Sequence, residues 1–360
     1  MKKLILILPF IAISVALAAQ QTENVFLISI DGLRWQEVFS GADSTFFYDR
    51  DYVENGDLIR ETFWADDPQV RRKKLLPFFW TTLATKGQLY GNRWEGNESY
   101  CTNSFWFSYP GYNEILTGFS DPRIRTNDKI PNPNKTVLEF FNEQKGFKEK
   151  VAAFGSWDVF PYIVNEQRSG IPVNAGFRKA TDKKLSRKEK FLNEIQPQVP
   201  SPWATVRLDA FTHHYALEYI KKKKPKLVYI AYGETDDFAH NGKYDAYLNS
   251  AKQTDAFIQE LWQFVQSHRK YKNKTTFIIT TDHGRGFETK AAWKSHGKTI
   301  KGSNEIWIAA IGPDTPALGE RTTKEQTLQS QIAKTLARLL GKEYDNTEFE
   351  VGKVIERILK

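Results

Sequence analysis

The chain has 360 residues, of which 40% are hydrophobic and 26% are charged, as is ordinary for a folded, soluble protein. Its formal net charge of +8 is a mild excess for this length, so we expect no nucleic-acid polymer as a partner. The run from Lys221 to Lys224 is interpreted as a solvated helix end. Cys101 is the only cysteine, which excludes an intramolecular disulfide.

The first nineteen residues have the pattern of an export signal. Lys2 and Lys3 precede an apolar run over 4–17, and Ala18 and Ala19 offer a small-residue cleavage site. The apolar run is too short to span a bilayer comfortably. The sequence therefore predicts a signal peptide over 1–19, a mature protein from Gln20 that is periplasmic or secreted, and no stable membrane insertion.

Short runs rich in β-branched and aromatic residues predict buried strands over 24–30, 150–154, 226–232, 275–281 and 305–311. Apolar residues at helical spacing predict helices over 203–221, 244–268 and 323–340. Strands that alternate with helices indicate an α/β fold, with a mostly parallel central sheet and helices on both faces. Residues 20–360 are expected to form one domain, with the polar segments 39–74 and 163–202 as insertions that cap the sheet edge.

Asp and His residues follow three of the predicted strands, where an open parallel sheet binds its ligands. They are Asp31, Asp236, His240, Asp282, His283 and, slightly further on, His296. Three carboxylates and three imidazoles at one edge would be unfavourable without cations between them. Divalent metals, zinc above all, suit such mixed ligands, so the sequence predicts a metal centre. Packing or surface positions are expected for the other histidines, His213, His214 and His268.

A candidate nucleophile, Ser108, lies in the motif Phe-Ser-Tyr-Pro-Gly-Tyr at 107–112. Pro110 suits the first turn of a helix, so Ser108 is expected at a helix amino end, where backbone N–H groups favour an anion. A side chain that merely caps the helix is the commoner role for such a serine. The predicted metal ligands favour the nucleophile, because a nearby zinc ion would lower the pKa of the hydroxyl.

In their order along the chain, these motifs resemble the alkaline phosphatase superfamily, and within it the type I phosphodiesterase/nucleotide pyrophosphatase branch, over residues 24–341. The matching motifs are Asp-Gly-Leu-Arg at 31–34, Ser-Tyr-Pro-Gly-Tyr…Leu-Thr-Gly at 108–118, Asp236…His240, Asp282-His283-Gly284 and His296. The resemblance implies two Zn²⁺, or other divalent ions such as Mn²⁺. One would be held by Asp236, His240 and His296, and the other by Asp31, Asp282, His283 and the Ser108 oxygen.

The same resemblance implies that Ser108 attacks phosphorus to form a phosphoseryl intermediate. It also implies an Asn that binds a phosphate oxygen, for which Asn127 is the nearest candidate. We expect a small-molecule phosphodiester as the substrate, because aromatic rings near the motifs could stack on its second substituent. These rings are Trp35, Phe105, Trp106, Phe107, Tyr109, Tyr112 and Trp157. A phosphomonoesterase remains an alternative; it would need a fixed cation, for which Arg123, Arg125 and Lys129 are candidates.

Three further alternatives share this scaffold. A sulfatase normally carries a Cys/Ser-x-Pro-x-Arg motif, whereas the corresponding residues here end in Tyr112. A phosphoethanolamine-type transferase is disfavoured because the sequence has no membrane-spanning run. A catalytically inactive metal-binding protein should have lost ligands or the nucleophile, and all seven positions are occupied by suitable residues.

Overall fold

The computed structural model of the chain describes residues 20–360, so the expected signal peptide lies outside the described residues. The strands are β1 Asn24–Ile30, β2 Gln88–Tyr90, β3 Asn97–Tyr100, β4 Val151–Gly155, β5 Val173–Ala175, β6 Leu227–Tyr232, β7 Thr275–Thr280, β8 Ile308–Ile311, β9 Gly319–Glu320 and β10 Glu325–Leu328. The α-helices are α1 Trp35–Ser40, α2 Gly56–Phe63, α3 Pro68–Leu75, α4 Ala84–Lys86, α5 Ser108–Thr117, α6 Val137–Glu143, α7 Phe160–Ile163, α8 Glu166–Ser169, α9 Arg187–Ile195, α10 Asp209–Lys223, α11 Glu234–His240, α12 Tyr244–Ser267, α13 Lys290–Trp293 and α14 Gln331–Leu339.

Eight strands form the central sheet in the order β5-β4-β6-β1-β7-β8-β2-β9. The strands from β5 to β7 are parallel, and β8 runs antiparallel to β7 and to β2. Alternate residues of β1 point to opposite faces. Phe26 packs on one face with Ile258 of α12, and Leu27 packs on the other with Ile115 of α5. Helices thus cover both faces, which confirms the predicted α/β fold.

The strand predictions differ most from the structure at β8. The strand was expected over 305–311 but begins only at Ile308. Glu305 forms an isolated bridge with Tyr100, and the backbone N–H of Ile306 donates to the carbonyl of Ser99 at 3.0 Å. The residues before Ile308 therefore pair with the end of β3 instead of extending the central sheet.

Two helix predictions were wrong at their amino ends. The helix expected over 203–221 begins at Asp209, because 202–205 form bends and Val206 makes an isolated bridge with Trp157 in the loop after β4. The helix expected over 323–340 begins at Gln331, because 325–328 form β10, a strand parallel to β3. In both places long-range backbone pairing overrides a weakly helical pattern.

The two polar segments contribute to the body of the fold. In 39–74, Phe46 and Phe63 belong to the core on the α12 side of the sheet. The segment 163–202 supplies β5, the strand at one end of the sheet, and α9. None of the helices in residues 20–360 combines the length and the apolar character that a membrane span requires.

Candidate metal centre and nucleophile

The carboxyl ends of three adjacent strands bring the predicted acidic residues together. β1 lies between β6 and β7, so Asp31, Asp236 and Asp282 follow neighbouring strands at the same edge. The backbone N–H of Gly32 donates to Asp282 Oδ1 at 3.1 Å. Gly32 has φ +59°, and a Cβ there would lie 2.6 Å from Asp236 Oδ1. Only glycine allows the chain leaving β1 to turn this closely past Asp236.

The first group of potential ligands contains Asp236, His240 and His296. His240 lies one helical turn after Asp236 on α11, and its Nε2 is 3.1 Å from Asp236 Oδ2. His296 Nε2 lies 3.6 Å from Asp236 Oδ1 and 2.9 Å from His240 Nε2. Two imidazole nitrogens this close need a shared proton or a cation between them. The donor set therefore fits a divalent metal ion.

The second group contains Asp31, Asp282, His283 and Ser108. His283 Nε2 lies 3.3 Å from Asp31 Oδ1, 3.3 Å from Asp282 Oδ2 and 3.4 Å from Ser108 Oγ. The His283 Nδ1 is 2.9 Å from the carbonyl oxygen of Gly284, which leaves Nε2 directed at the carboxylates. Asp31 Oδ1 and Asp282 Oδ2 are buried without a hydrogen-bond partner. Such orphaned oxygens are costly, and a bound cation would satisfy both.

Burial and mutual repulsion shift the titration of these groups. Burial, reinforced by the charge of Asp31, raises the pKa of Asp282 well above its usual value. Burial alone would lower the pKa of His283, but Asp282, Asp31 and Asp236 raise it to about 9. Positive charge is therefore strongly favoured at the position that His283 Nε2 faces.

Ser108 is the first residue of α5 and is buried. Phe107 occupies the cap position, and no side chain makes a capping hydrogen bond there, so Ser108 does not serve as a cap. The helix packs so closely against the end of β7 that only glycine fits at position 111. A Cβ there would lie 2.3 Å from the Asp282 carbonyl oxygen. This close approach brings the Ser108 hydroxyl to the second ligand group.

Asn127 also lies at the amino end of α5. Its Oδ1 accepts a hydrogen bond from the backbone N–H of Tyr109 at 3.0 Å. Asn127 is exposed, and the residue before Tyr109 is Ser108. The structure thus brings the substrate-binding candidate beside the nucleophile candidate.

Sequence reasoning did not single out Arg285, which directly follows Asp282-His283-Gly284. Its guanidinium is buried and pairs with Asp236, and it donates to the carbonyls of Trp293 at 2.8 Å and Lys294 at 2.7 Å. Burial alone would raise the pKa of Asp236, but Arg285, His240 and His296 hold it well below its usual value. Arg285 therefore connects Asp236 to the segment that carries His296.

The aromatic rings divide into two sets by burial. Trp35, Tyr109 and Tyr112 are buried, and the Tyr112 hydroxyl donates to Asp31 Oδ2 at 2.6 Å. Tyr112 thus orients a potential metal ligand and is not available for stacking. Partial exposure is found for Phe105, Trp106, Phe107 and Trp157.

A further cluster contains His213, His214 and Glu260. His213 Nε2 lies 2.9 Å from Glu260 Oε2, and its Nδ1 lies 3.0 Å from the Tyr232 hydroxyl. The ammonium of Lys188 is 3.2 Å from His214 Nδ1. Because a cation already faces this group, it is a poorer metal site than the one at the sheet edge.

Comparison with known proteins gives a family and a fold. The model of the family described as Sulfatase matches residues 23–342. Solved structures with a similar fold include alkaline phosphatase PafA, at 11% identity and TM-score 0.59, covering 95% of this chain and 100% of that one. A phosphonate monoester hydrolase from Silicibacter pomeroyi aligns at 14% identity and TM-score 0.56, covering 94% and 76%.

A third similar structure is Ps i-CgsB in complex with k-i-k-neocarrahexaose, at 15% identity and TM-score 0.53, covering 92% of this chain and 75% of that one. No curated protein sequence gives a significant match. The family match spans most of the chain and includes every candidate ligand from Asp31 to His296. The chain therefore belongs to the Sulfatase family.

Proposed function

We propose that the chain is an exported, zinc-dependent phosphodiester hydrolase of the type I phosphodiesterase/nucleotide pyrophosphatase kind, with Ser108 as the nucleophile. The observation that carries the proposal is the position of the Ser108 hydroxyl. It lies at the amino end of α5, 3.4 Å from His283 Nε2, beside carboxylate oxygens that have no hydrogen-bond partner. A hydroxyl in this setting is suited to attack an electrophile with negatively charged oxygens.

Two ligand sets support a centre with two metal ions. Asp236, His240 and His296 would hold one ion. Asp31, Asp282 and His283 would hold the other next to Ser108, and Asp236, which also clusters with Asp31 and His283, lies between the two sets. Bound zinc would supply positive charge for the phosphoryl oxygens and would lower the pKa of the serine hydroxyl. The mixed oxygen and nitrogen donors favour zinc, and Mn²⁺ is the second choice.

The chain's own groups would carry the covalent steps. The Ser108 hydroxyl loses its proton to water and its oxygen forms a bond to phosphorus, while the bond to the leaving alcohol breaks and the alcohol oxygen takes up a proton from water. Water then attacks the phosphoseryl group and releases the phosphomonoester and free Ser108. Asn127, whose Oδ1 is held by the Tyr109 N–H, would donate its amide N–H to a non-bridging phosphate oxygen.

The charges near the nucleophile favour a diester over a monoester. A monoester dianion has a third charged oxygen, which monoesterases generally bind with a fixed cation. Lys129 Nζ is paired with Asp158 Oδ2 at 2.7 Å, and Arg123 is paired with Asp121 at 2.8 Å and with Glu348 at 3.0 Å. These two cations are paired within the protein, which suits the single negative charge of a phosphodiester. Arg125, the third candidate, makes no ion pair within residues 20–360 and is the cation that a monoester would have to use. The partly exposed rings would stack on its second substituent.

The test compares kcat/KM for bis-nitrophenyl phosphate, nitrophenyl phosphate and nitrophenyl sulfate on one zinc-loaded preparation. We expect the diester to be preferred, and Ser108→Ala to abolish its turnover. Preference for the monoester would instead identify a phosphatase. Preference for the sulfate ester would identify a sulfatase, the activity that the family description suggests. Against that activity, Tyr112 stands where sulfatases carry an arginine, and its hydroxyl is bonded to Asp31.

A further inference from the structure

A backbone carbonyl outside both ligand sets contacts His296. The loop between β3 and α5 places the carbonyl oxygen of Trp106 3.3 Å from His296 Nδ1. A histidine that donates one N–H to a carbonyl presents its other nitrogen in a fixed direction. In His296 that other nitrogen is Nε2, which faces Asp236 and His240. The Trp106 carbonyl therefore orients a proposed metal ligand.

Trp106 holds this position in an unfavourable backbone conformation. Its φ is +54°, in the left-handed region that residues with a large side chain rarely adopt. The conformation persists because Asn103 Oδ1 accepts hydrogen bonds from the N–H groups of Phe105 at 3.1 Å and Trp106 at 2.9 Å. Strain of this kind is maintained only where the surroundings fix it.

Asn103 is itself fixed by Glu114, a buried residue of α5 six positions after Ser108. Glu114 Oε2 accepts from the backbone N–H and the side-chain amide of Asn103, both at 2.8 Å. Its Oε1 accepts from the backbone N–H and the hydroxyl of Thr102, also at 2.8 Å. Among side chains of this size, only an ionised carboxylate accepts hydrogen bonds at both of its terminal atoms.

We propose that Glu114 is a positioning residue for the metal ligand His296. It fixes Asn103, Asn103 holds Trp106 in its left-handed conformation, and the Trp106 carbonyl orients the imidazole. The inference rests on the proposed metal centre, but it concerns metal affinity and not the reaction. Helix α5 would then support both ligand sets, one through Ser108 and the other through Glu114.

The test measures zinc affinity by competition with a chromophoric chelator. Glu114→Gln keeps the volume but presents an amide N–H₂ to donors that need an acceptor. We expect zinc binding at the site of Asp236, His240 and His296 to fall by up to about 10- to 100-fold, the usual loss when the hydrogen-bond partner of a metal ligand is removed. Trp106→Gly should keep its affinity, because glycine adopts positive φ freely and retains the carbonyl.

Asp255→Asn is the matched control. Asp255 is a buried helical carboxylate that accepts from the N–H groups of Phe78 at 2.7 Å and Phe79 at 3.0 Å. This substitution should lower the melting temperature and leave zinc affinity unchanged. If Glu114→Gln does not fold, Asn103→Ala replaces it, since it removes the acceptor for the Trp106 N–H and keeps Glu114.

The outcomes separate this inference from the proposed function. Unchanged zinc affinity in the folded Glu114→Gln or Asn103→Ala variant overturns the positioning role, even if the parent protein hydrolyses phosphodiesters. Weakened zinc binding together with a parent that turns over no phosphodiester supports the positioning role and rejects the proposed substrate. A loss of affinity in Asp255→Asn equal to that in Glu114→Gln would mean general destabilisation and would also overturn the inference.

Discussion

Replacing Gly111 with alanine tests how closely the nucleophile helix must approach the end of β7. The added Cβ would lie 2.3 Å from the carbonyl oxygen of Asp282 and 3.2 Å from its Cβ. An ordinary carbon–oxygen contact is at least ~3.4 Å, so α5 must retreat by about 1 Å. Ser108 is on the same helix and would move with it, away from Asp282 and His283.

Two opposing effects decide how much stability Gly111→Ala loses. Overpacking typically costs about 1–3 kcal/mol, whereas alanine in place of glycine inside a helix returns up to about 1 kcal/mol. The net loss of stability should therefore lie between about 0 and 3 kcal/mol. A displacement of about 1 Å at a reacting group costs about 100-fold in rate, so activity is the more sensitive measurement.

The assay is kcat/KM for bis-nitrophenyl phosphate together with the melting temperature. Gly312→Ala is the control, because its Cβ would lie 2.1 Å from Thr276 Oγ1, near the start of β7 and at the opposite end of the strand from Asp282. We expect both variants to lose stability and only Gly111→Ala to lose about 100-fold in kcat/KM. Equal activity in the two variants would refute the link between this contact and the placement of Ser108.

Three other predictions concern the same edge of the sheet. Ser108→Ala should reduce turnover by several orders of magnitude, while the melting temperature stays nearly unchanged because the side chain caps no helix; retained turnover would contradict the nucleophile. Chelation should remove about two zinc ions per chain, abolish activity and lower the melting temperature, since Asp31 and Asp282 would be left unneutralised; metal analysis and re-addition of zinc check this. Arg285→Met should destabilise the metal-free protein by about 3–5 kcal/mol in urea unfolding, because it removes the buried cation that pairs with Asp236 and leaves two carbonyls without their donor; a loss below about 1 kcal/mol would contradict its role.

The parts of the fold that were predictable are those governed by local patterns. β1 is buried at every position on both faces, so its apolar run predicts its bounds correctly. The rule that parallel strands present their carboxyl ends at one edge was enough to bring Asp31, Asp236 and Asp282 together. Conversely, β10 exists only because Glu325 to Leu328 pair with β3, more than 200 residues earlier in the chain.

The supports of the candidate site were harder to predict than its ligands. Arg285 adjoins a recognised motif, but its partners are carbonyls of 293 and 294 and a carboxylate from another strand. The contact between His296 and Trp106 joins residues 190 positions apart through a backbone atom. Residue type carries no information about such a contact, because every amino acid has a carbonyl group.

The two ligand sets differ in their access to solvent through one residue, His240, since the exposed fractions of Asp31, Asp236 and His296 are similarly small at 8%, 11% and 9%. The side chains of Asp282 and His283 are 0% exposed, whereas that of His240 is 44% exposed. For the proposed two-metal centre this gradient imposes an order of exchange. A chelator reaches the ion held by Asp236, His240 and His296 first. The ion beside Ser108 is the more deeply buried one, and it leaves more slowly. Metal removal should therefore proceed in two kinetic phases, and brief dialysis followed by a different divalent ion should yield a mixed-metal enzyme with the original ion retained beside Ser108.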